Sequence, residues 1–229
     1  MHLTKSALET FLGENLGLAR DVKTGKRLSV WREVVIGLSA TNRGAKRRPQ
    51  DFYSTPIECV TAILNELDVP DGIKILDPCA GSGHVIQAIR EGTLIENYDN
   101  VHIDAIEIRP EEENILKPLV DSVKIADFLD EDIHGGYDLV ISNPPYSLAQ
   151  EFIDKGLECL NENGKLVYLL RTNFLESKKR FQWWQDKLPS GIYVLHARPS
   201  FTDDKHTDAC SYSWFVWDKG SNKQVIKVI

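Results

Sequence analysis

Short apolar runs alternate with amphipathic stretches through most of the chain. IKILD (73–77), VHIDAIEI (101–108), SVKIAD (122–127), YDLVIS (137–142) and GKLVYLL (164–170) have strand composition. Between them, HVIQAIREG (84–92), a segment opening at Pro110 and SLAQEFIDKGLECL (147–160) have helical spacing. The last of these sets Leu148, Phe152, Ile153, Leu157 and Leu160 on one face. This order leaves few folds open. Strands joined by helical crossovers run parallel, and the crossovers place helices on both faces of the sheet. IYVLHA (192–197) and CSYSWFVW (210–217) follow with no helix between them and read as an antiparallel hairpin at one edge. The expectation is an α/β fold: a doubly wound, mostly parallel seven-stranded sheet with an antiparallel C-terminal edge hairpin. Two capping boxes are read from the sequence, Ser147 with Gln150 and Thr55 with Glu58. The second has Pro56 at the first helical position and predicts a helix from Pro56 to Leu67.

A chain of 229 residues, 42% of them hydrophobic, is long enough for one domain with a large core. No apolar run reaches membrane-spanning length, and the N-terminal stretch carries charges throughout, so a cytoplasmic protein is expected, with no membrane partner. Cys59, Cys79, Cys159 and Cys210 lie beside apolar residues and show no metal spacing; reduced thiols and no metal site are the reading. The formal charge of −7 is unevenly spread, with +6 over residues 1–50 and −13 over the remainder. We therefore separate a helical, basic N-terminal extension (1–50) from the domain at 51–229. TNRGAKRRPQ (41–50) has no acidic residue, and Lys46, Arg47 and Arg48 are candidates for phosphate contact. A solvated linker would have the same composition.

Four stretches carry chemistry, each at the carboxyl end of a predicted strand. LDPCAGSGH (76–84) is a strand–turn–helix junction in which Gly81 and Gly83 permit a tight turn and close approach to a ligand. It lacks the dinucleotide GxGxxG and the phosphate-loop GKS/T, and Asp77 at its start suits a cationic ligand better than a pyrophosphate. Glu107 ends the next strand, where a carboxylate can accept both ribose hydroxyls. Asp127 and Phe128 follow the third, a pairing that suits the exocyclic amine and the face of an adenine. Any one of these is most simply an exposed strand-end acid. Together, on the edge where such sheets bind ligands, they point to an adenosine-containing cation. The fourth stretch is SNPPYSL (142–148), whose prolines fix the backbone beside an amide and an aromatic ring.

With these four in place the chain resembles the class I S-adenosylmethionine-dependent methyltransferases, which have a Rossmann-like fold, and within them the NPPY-type N6-adenine DNA methyltransferases of phage and bacteria. DPCAGSGH resembles their cofactor loop, which assigns Asp77, Pro78, Cys79, Ala80, Gly81 and Gly83 to cofactor binding. Glu107 with Ile108 resembles the ribose-binding position, and Asp127-Phe128 the adenine contact. FYSTP (52–56) is similar to the segment that packs on the methionine end of the cofactor, which brings in Tyr53, Thr55 and Pro56. NPPY is similar to the catalytic tetrapeptide, Asn143, Pro144, Pro145 and Tyr146, with Asn143 also touching the cofactor. ARPSF (197–201) resembles the loop whose ring, here Phe201, helps hold the target base. Arg171 and Asn173, just past the fifth strand, are further substrate candidates. Cys79 departs from the aromatic residue that relatives often carry there, and the first fifty residues lie outside the resemblance.

The resemblance implies S-adenosylmethionine as cofactor and adenine-containing DNA as partner. Asn143 and Pro144 would each offer an oxygen to one N6 proton, with Tyr146 stacked on a base flipped out of the duplex. An RNA adenine or protein-glutamine methyltransferase also fits NPPY, and a non-catalytic methyltransferase-like binding module is the alternative from another class. KKRFQWWQDK (178–187) reads as an amphipathic helix burying Phe181 and Trp184, with Lys178, Lys179 and Arg180 toward phosphate. Only twelve residues follow Trp217, so target selection is expected from within the chain, a specificity partner or a homodimer.

Overall fold

The computed structural model describes residues 54–68, 70, 72–91, 101–201, 210–221 and 223–229, all within one compact unit, Arg47–Ile229. Lys46, Arg47, Arg48, Tyr53 and the N-terminal extension lie outside the described residues.

The strands are β1 (Lys74–Asp77), β2 (His102–Glu107), β3 (Ser122–Ile125), β4 (Tyr137–Ser142), β5 (Leu160–Arg171), β6 (Gly191–Val194), β7 (Tyr212–Asp218) and β8 (Val225–Val228). They form one sheet in the order β3-β2-β1-β4-β5-β7-β6-β8. Only β7 runs against its neighbours; all other pairings are parallel. The doubly wound α/β sheet expected from the alternation is present, with eight strands among the described residues instead of seven. The extra strand, β8, pairs with β6 at the outer edge. Its four residues are all exposed, so it buries no face and leaves no alternating pattern to read.

The period of a strand shows directly in the core. Ile75 and Leu76, both fully buried, belong to different apolar layers. The first layer takes Ile75, Ile103, Leu139, Val167 and Trp214 against helices α1 (Ile57–Leu64) and α2 (His84–Glu91). The second takes Leu76, Ile106, Val140, Tyr168 and Phe215 against α4 (Ala149–Glu158) and α5 (Phe181–Asp186). A short α3 (Glu113–Leu116) follows a 3-10 turn at Pro110–Glu112. Strands buried on both faces between helices are what parallel crossovers require.

Several local expectations change. α1 spans Ile57–Leu64, with Pro56 as its N-cap residue and no side-chain cap. α4 begins at Ala149 after a 3-10 turn at Tyr146–Leu148, so Ser147 does not open it. In α5 Trp184 is buried, but Phe181 is 65% exposed. Trp184 packs on Phe174 and Phe215, whereas Phe181, the first residue of this six-residue helix, lies outside that aromatic cluster.

Gly156 lets α4 lie close on β5. A Cβ there would meet Leu166 Cδ1 and the Tyr168 hydroxyl, each at 2.7 Å. Gly156→Val is expected to lower stability by about 1–3 kcal/mol through overpacking, read as a fall of several degrees in Tm by calorimetry. An unchanged Tm would show that the helix shifts freely.

Candidate active site

The sheet order reverses between β1 and β4: Ile75 of β1 pairs with Ile103 of β2 on one side and Leu139 of β4 on the other. Crossovers leave in opposite directions from such a point and open a crevice above the strand ends. A cleft of about 470 Å³ lies there.

The turn after β1 shapes its floor. Gly81 and Gly83 have φ of 58° and 84°, a region that side chains with a Cβ rarely enter. The Gly81 N–H donates to Glu107 Oε2 at 2.7 Å, and the Ala80 N–H to the Ile106 carbonyl at 3.0 Å, tying the loop to β2. Glu107 Oε1 accepts from the Arg109 N–H and Nε, each at 2.9 Å. This carboxylate is 4% exposed and already serves the protein's own donors. Asp127 Oδ1 accepts from the Leu129 N–H at 3.0 Å and caps the turn that carries Phe128. Phe128 is buried against Phe152, ring centroids 5.3 Å apart, and both line the cleft together with half-exposed Ile108.

Asp77 sits under the loop, 1% exposed. Its Oδ1 accepts from the Ser142 hydroxyl at 2.6 Å and from the Cys79 N–H at 3.3 Å, whereas no donor among the described residues reaches its buried Oδ2. Burial pushes the carboxyl up to about 7, against the lowering effect of the Ser142 and Cys79 hydrogen bonds, and the nearby Glu107 adds to the rise. The Cys79 thiol lies 2.9 Å from the Ser142 hydroxyl and donates to the Asn143 carbonyl at 3.7 Å. Burial and then the charge of Asp77 hold that thiol well above its ordinary range, so it remains protonated and is no nucleophile.

The same cleft reaches the end of β4. Asn143 and Pro145 line it opposite Gly81, with Thr55 beside them. Asn143 Nδ2 donates to Thr55 Oγ1 at 3.0 Å. Tyr146 faces the other way, into a second recess of about 290 Å³ that Arg171, Asn173, Phe174, Glu176 and Arg180 complete. The Arg171 guanidinium lies 5.3 Å over the Tyr146 ring. Phe201 is 7% exposed and packs edge-on against Tyr212, which stands 5.7 Å from Tyr146. The apolar layer under the sheet takes the Phe201 ring in, and Tyr212 is the aromatic neighbour of the tetrapeptide.

Pro78, Cys79, Ala80, Gly81, Glu107 and Ile108 therefore share one cleft with Thr55, Asp127, Phe128 and Asn143, while Pro56, Asp77, Gly83 and Pro144 do not line it. Sequence reasoning missed Ser142, Arg109, Phe152 and Tyr212. Ser142 had a signal, as the single polar residue ending an apolar strand. Arg109 is a local partner, two residues beyond Glu107, whereas Tyr212 had no signal because long-range pairing brings it in.

The fold and the cleft define a nucleoside-binding α/β domain with an amide at the far wall. Residues 55–183, more than half of the chain, match the methyltransferase small domain family, and the chain belongs to it. Membership of this family implies S-adenosylmethionine as the cofactor. The chain is similar to the type II methyltransferase M.TthHB8I of Thermus thermophilus, at 24% identity over 163 residues, which are 57% of this chain and 37% of that protein. The chain thus spans little more than a third of this relative. Among solved structures it is similar to the type I restriction-modification system methyltransferase subunit of Streptococcus thermophilus, with a TM-score of 0.57 and 19% identity over 85% of this chain and 50% of that one. It is also similar to an S-adenosylmethionine-dependent O-methyltransferase of Thermotoga maritima, with a TM-score of 0.52 and 21% identity over 74% of this chain and 66% of that one. At such identities these likenesses concern the fold. No helix among the described residues is long and apolar enough to cross a membrane.

The site fits this cofactor: Glu107 at the cleft wall, apolar walls and the buried carboxyl of Asp77 beneath the loop suit a nucleoside bearing a cationic tail. The sign of its pH dependence follows from Asp77. Because burial favours the neutral carboxyl, its stabilising effect on the free protein is present below the ordinary carboxylate range and is lost as pH rises through about 7. A cationic ligand favours the ionised form. S-adenosylmethionine affinity is therefore expected to rise from about pH 6 to about pH 8 and then level off. Asp77→Asn is expected to weaken binding about 10- to 100-fold at the upper end and to flatten the slope. Titration calorimetry on both proteins separates this group from the ligand's own amine, and equal slopes would contradict the assignment.

Proposed function

We propose that the enzyme methylates the exocyclic N6 of adenine in DNA. What carries the reading is the amide at the end of β4, placed across one cleft from the glycine loop of the cofactor site. Asn143 Nδ2 is engaged by Thr55, which leaves Oδ1 as the acceptor available to a substrate amine. Pro145 has φ of −60° and ψ of 118°, an extended backbone stiffened by two successive rings, and the Pro144 carbonyl would be the second acceptor.

Adenine N6 is a poor nucleophile because its lone pair is delocalised into the ring. Two fixed oxygens that accept its two protons would draw the amine toward tetrahedral geometry and free the lone pair. Bound S-adenosylmethionine supplies an electrophilic methyl group whose transfer leaves a neutral thioether. No strong base need act before attack, which accounts for an amide where a carboxylate would otherwise serve. Positioning and preorganised dipoles provide the acceleration.

The target would lie along Tyr146, in the recess that Arg171 and Asn173 help to form. N6 is out of reach inside a duplex, so the base must leave the stack at a cost of a few kcal/mol, partly offset by stacking of ~1–3 kcal/mol on an aromatic ring. Exposed Lys178 and Lys179 stand next in sequence to Arg180 of that recess and would meet phosphates. The names of the type II methyltransferase and of the restriction-modification subunit support DNA as the substrate class.

The test is transfer of a labelled methyl group to DNA, RNA and protein, followed by hydrolysis and identification of the product. N6-methyladenine from DNA is expected. Label confined to RNA or to glutamine would overturn the proposal. Asn143→Ala is expected to reduce turnover at least about 100-fold with cofactor affinity unchanged; a matching loss of affinity would place Asn143 in cofactor binding alone.

A further inference from the structure

Thr55 has a second candidate role besides the helix cap and the cofactor contact read from the sequence. It is 3% exposed, yet it gives α1 no side-chain cap, since Pro56 takes the N-cap position. Its hydroxyl oxygen instead accepts from Asn143 Nδ2, 88 residues away, at 3.0 Å. The Asn143 carbonyl is held separately, by the Cys79 thiol at 3.7 Å. Preceding Ser142 is anchored to Asp77 at 2.6 Å. Asn143 is thus fixed through its backbone by the cofactor loop and through its side chain by the segment before α1.

A primary amide presents an oxygen on one side and a nitrogen on the other. Half a turn about its last bond exchanges an acceptor for two donors. An amine clamp works in one of those orientations only: with the nitrogen forward, two N–H groups would face the two N–H groups of the substrate. We infer that Thr55 is a positioning residue: by accepting from Nδ2 it holds the Asn143 side chain at the wall of the cleft, and in that arrangement Oδ1 is the atom left toward the substrate amine. The bond is part-buried at the cleft wall, with the Thr55 side enclosed, and a hydrogen bond is stronger there than in bulk water. The inference rests on the proposed amine clamp, but the hydrogen bond itself can be tested without any substrate.

Two variants separate the roles. Thr55→Val keeps the shape and deletes the hydroxyl; Thr55→Ser keeps the hydroxyl. In ¹⁵N–¹H spectra, with the side-chain amide of Asn143 assigned from Asn143→Ala, its Nδ2 protons are expected to exchange slowly in wild type and Thr55→Ser and to lose that protection in Thr55→Val. Unaltered protection in Thr55→Val overturns the inference. In methyl transfer, Thr55→Val is expected to lower kcat about 10- to 100-fold, with KM for the acceptor and the S-adenosylmethionine Kd within twofold, and Thr55→Ser is expected to restore most of it. A parallel loss of cofactor affinity, or no rescue by serine, assigns Thr55 to the cofactor or to packing instead. If wild-type protein transfers no methyl to DNA, the clamp reading fails while the spectra still decide what orients Asn143.

Discussion

The hydrogen bond from Ser142 to Asp77 joins the ends of the two central strands where their crossovers diverge. It is short, buried and made to a carboxylate, a combination that ranks among the stronger interactions in a protein interior. From Asp77 the chain turns into the glycine loop, and from Ser142 it turns into the tetrapeptide. A shift in one strand end is therefore felt in both halves of the cleft. Cys79 reinforces the link through its contacts to Ser142 and to the Asn143 carbonyl. Here a small thiol stands where a larger ring would have to point elsewhere.

Asp77 also shows how the site keeps tension in reserve. Its buried carboxyl is raised to about 7 and one oxygen has no donor. An unsatisfied buried acceptor is destabilising by itself, and such groups concentrate where a ligand completes them. Glu107 differs. Gly81 and Arg109 already satisfy it, so its carboxylate braces the loop from β2 as well as facing the cleft.

Much of this was legible in the chain because it is local. Alternating apolar runs give the parallel core, and Asp77, Glu107 and Asp127 each follow a recognisable strand, so their arrival on one edge follows from topology. What was not legible depends on contacts across long separations. The capping pattern at Thr55 is a sound local signal, yet its hydroxyl turns to Asn143 because a buried partner is available there. Phe201 lies close in space to the tetrapeptide's surroundings but is drawn inward by Tyr212. Strand β8 was silent because both of its faces are wet. In α5 the helical spacing was right and the choice of buried ring was settled by Phe174 and Phe215, which both pack on Trp184.

The central claim is that one cleft holds a methyl donor at one end and an amine clamp at the other, so the most direct measurement is a crystal structure with S-adenosylhomocysteine bound. The account predicts adenosine between Ile108 and Phe128, with the homocysteine sulfur turned toward Asn143. An adenosine bound outside this cleft, or a sulfur pointing away from Asn143, would contradict it.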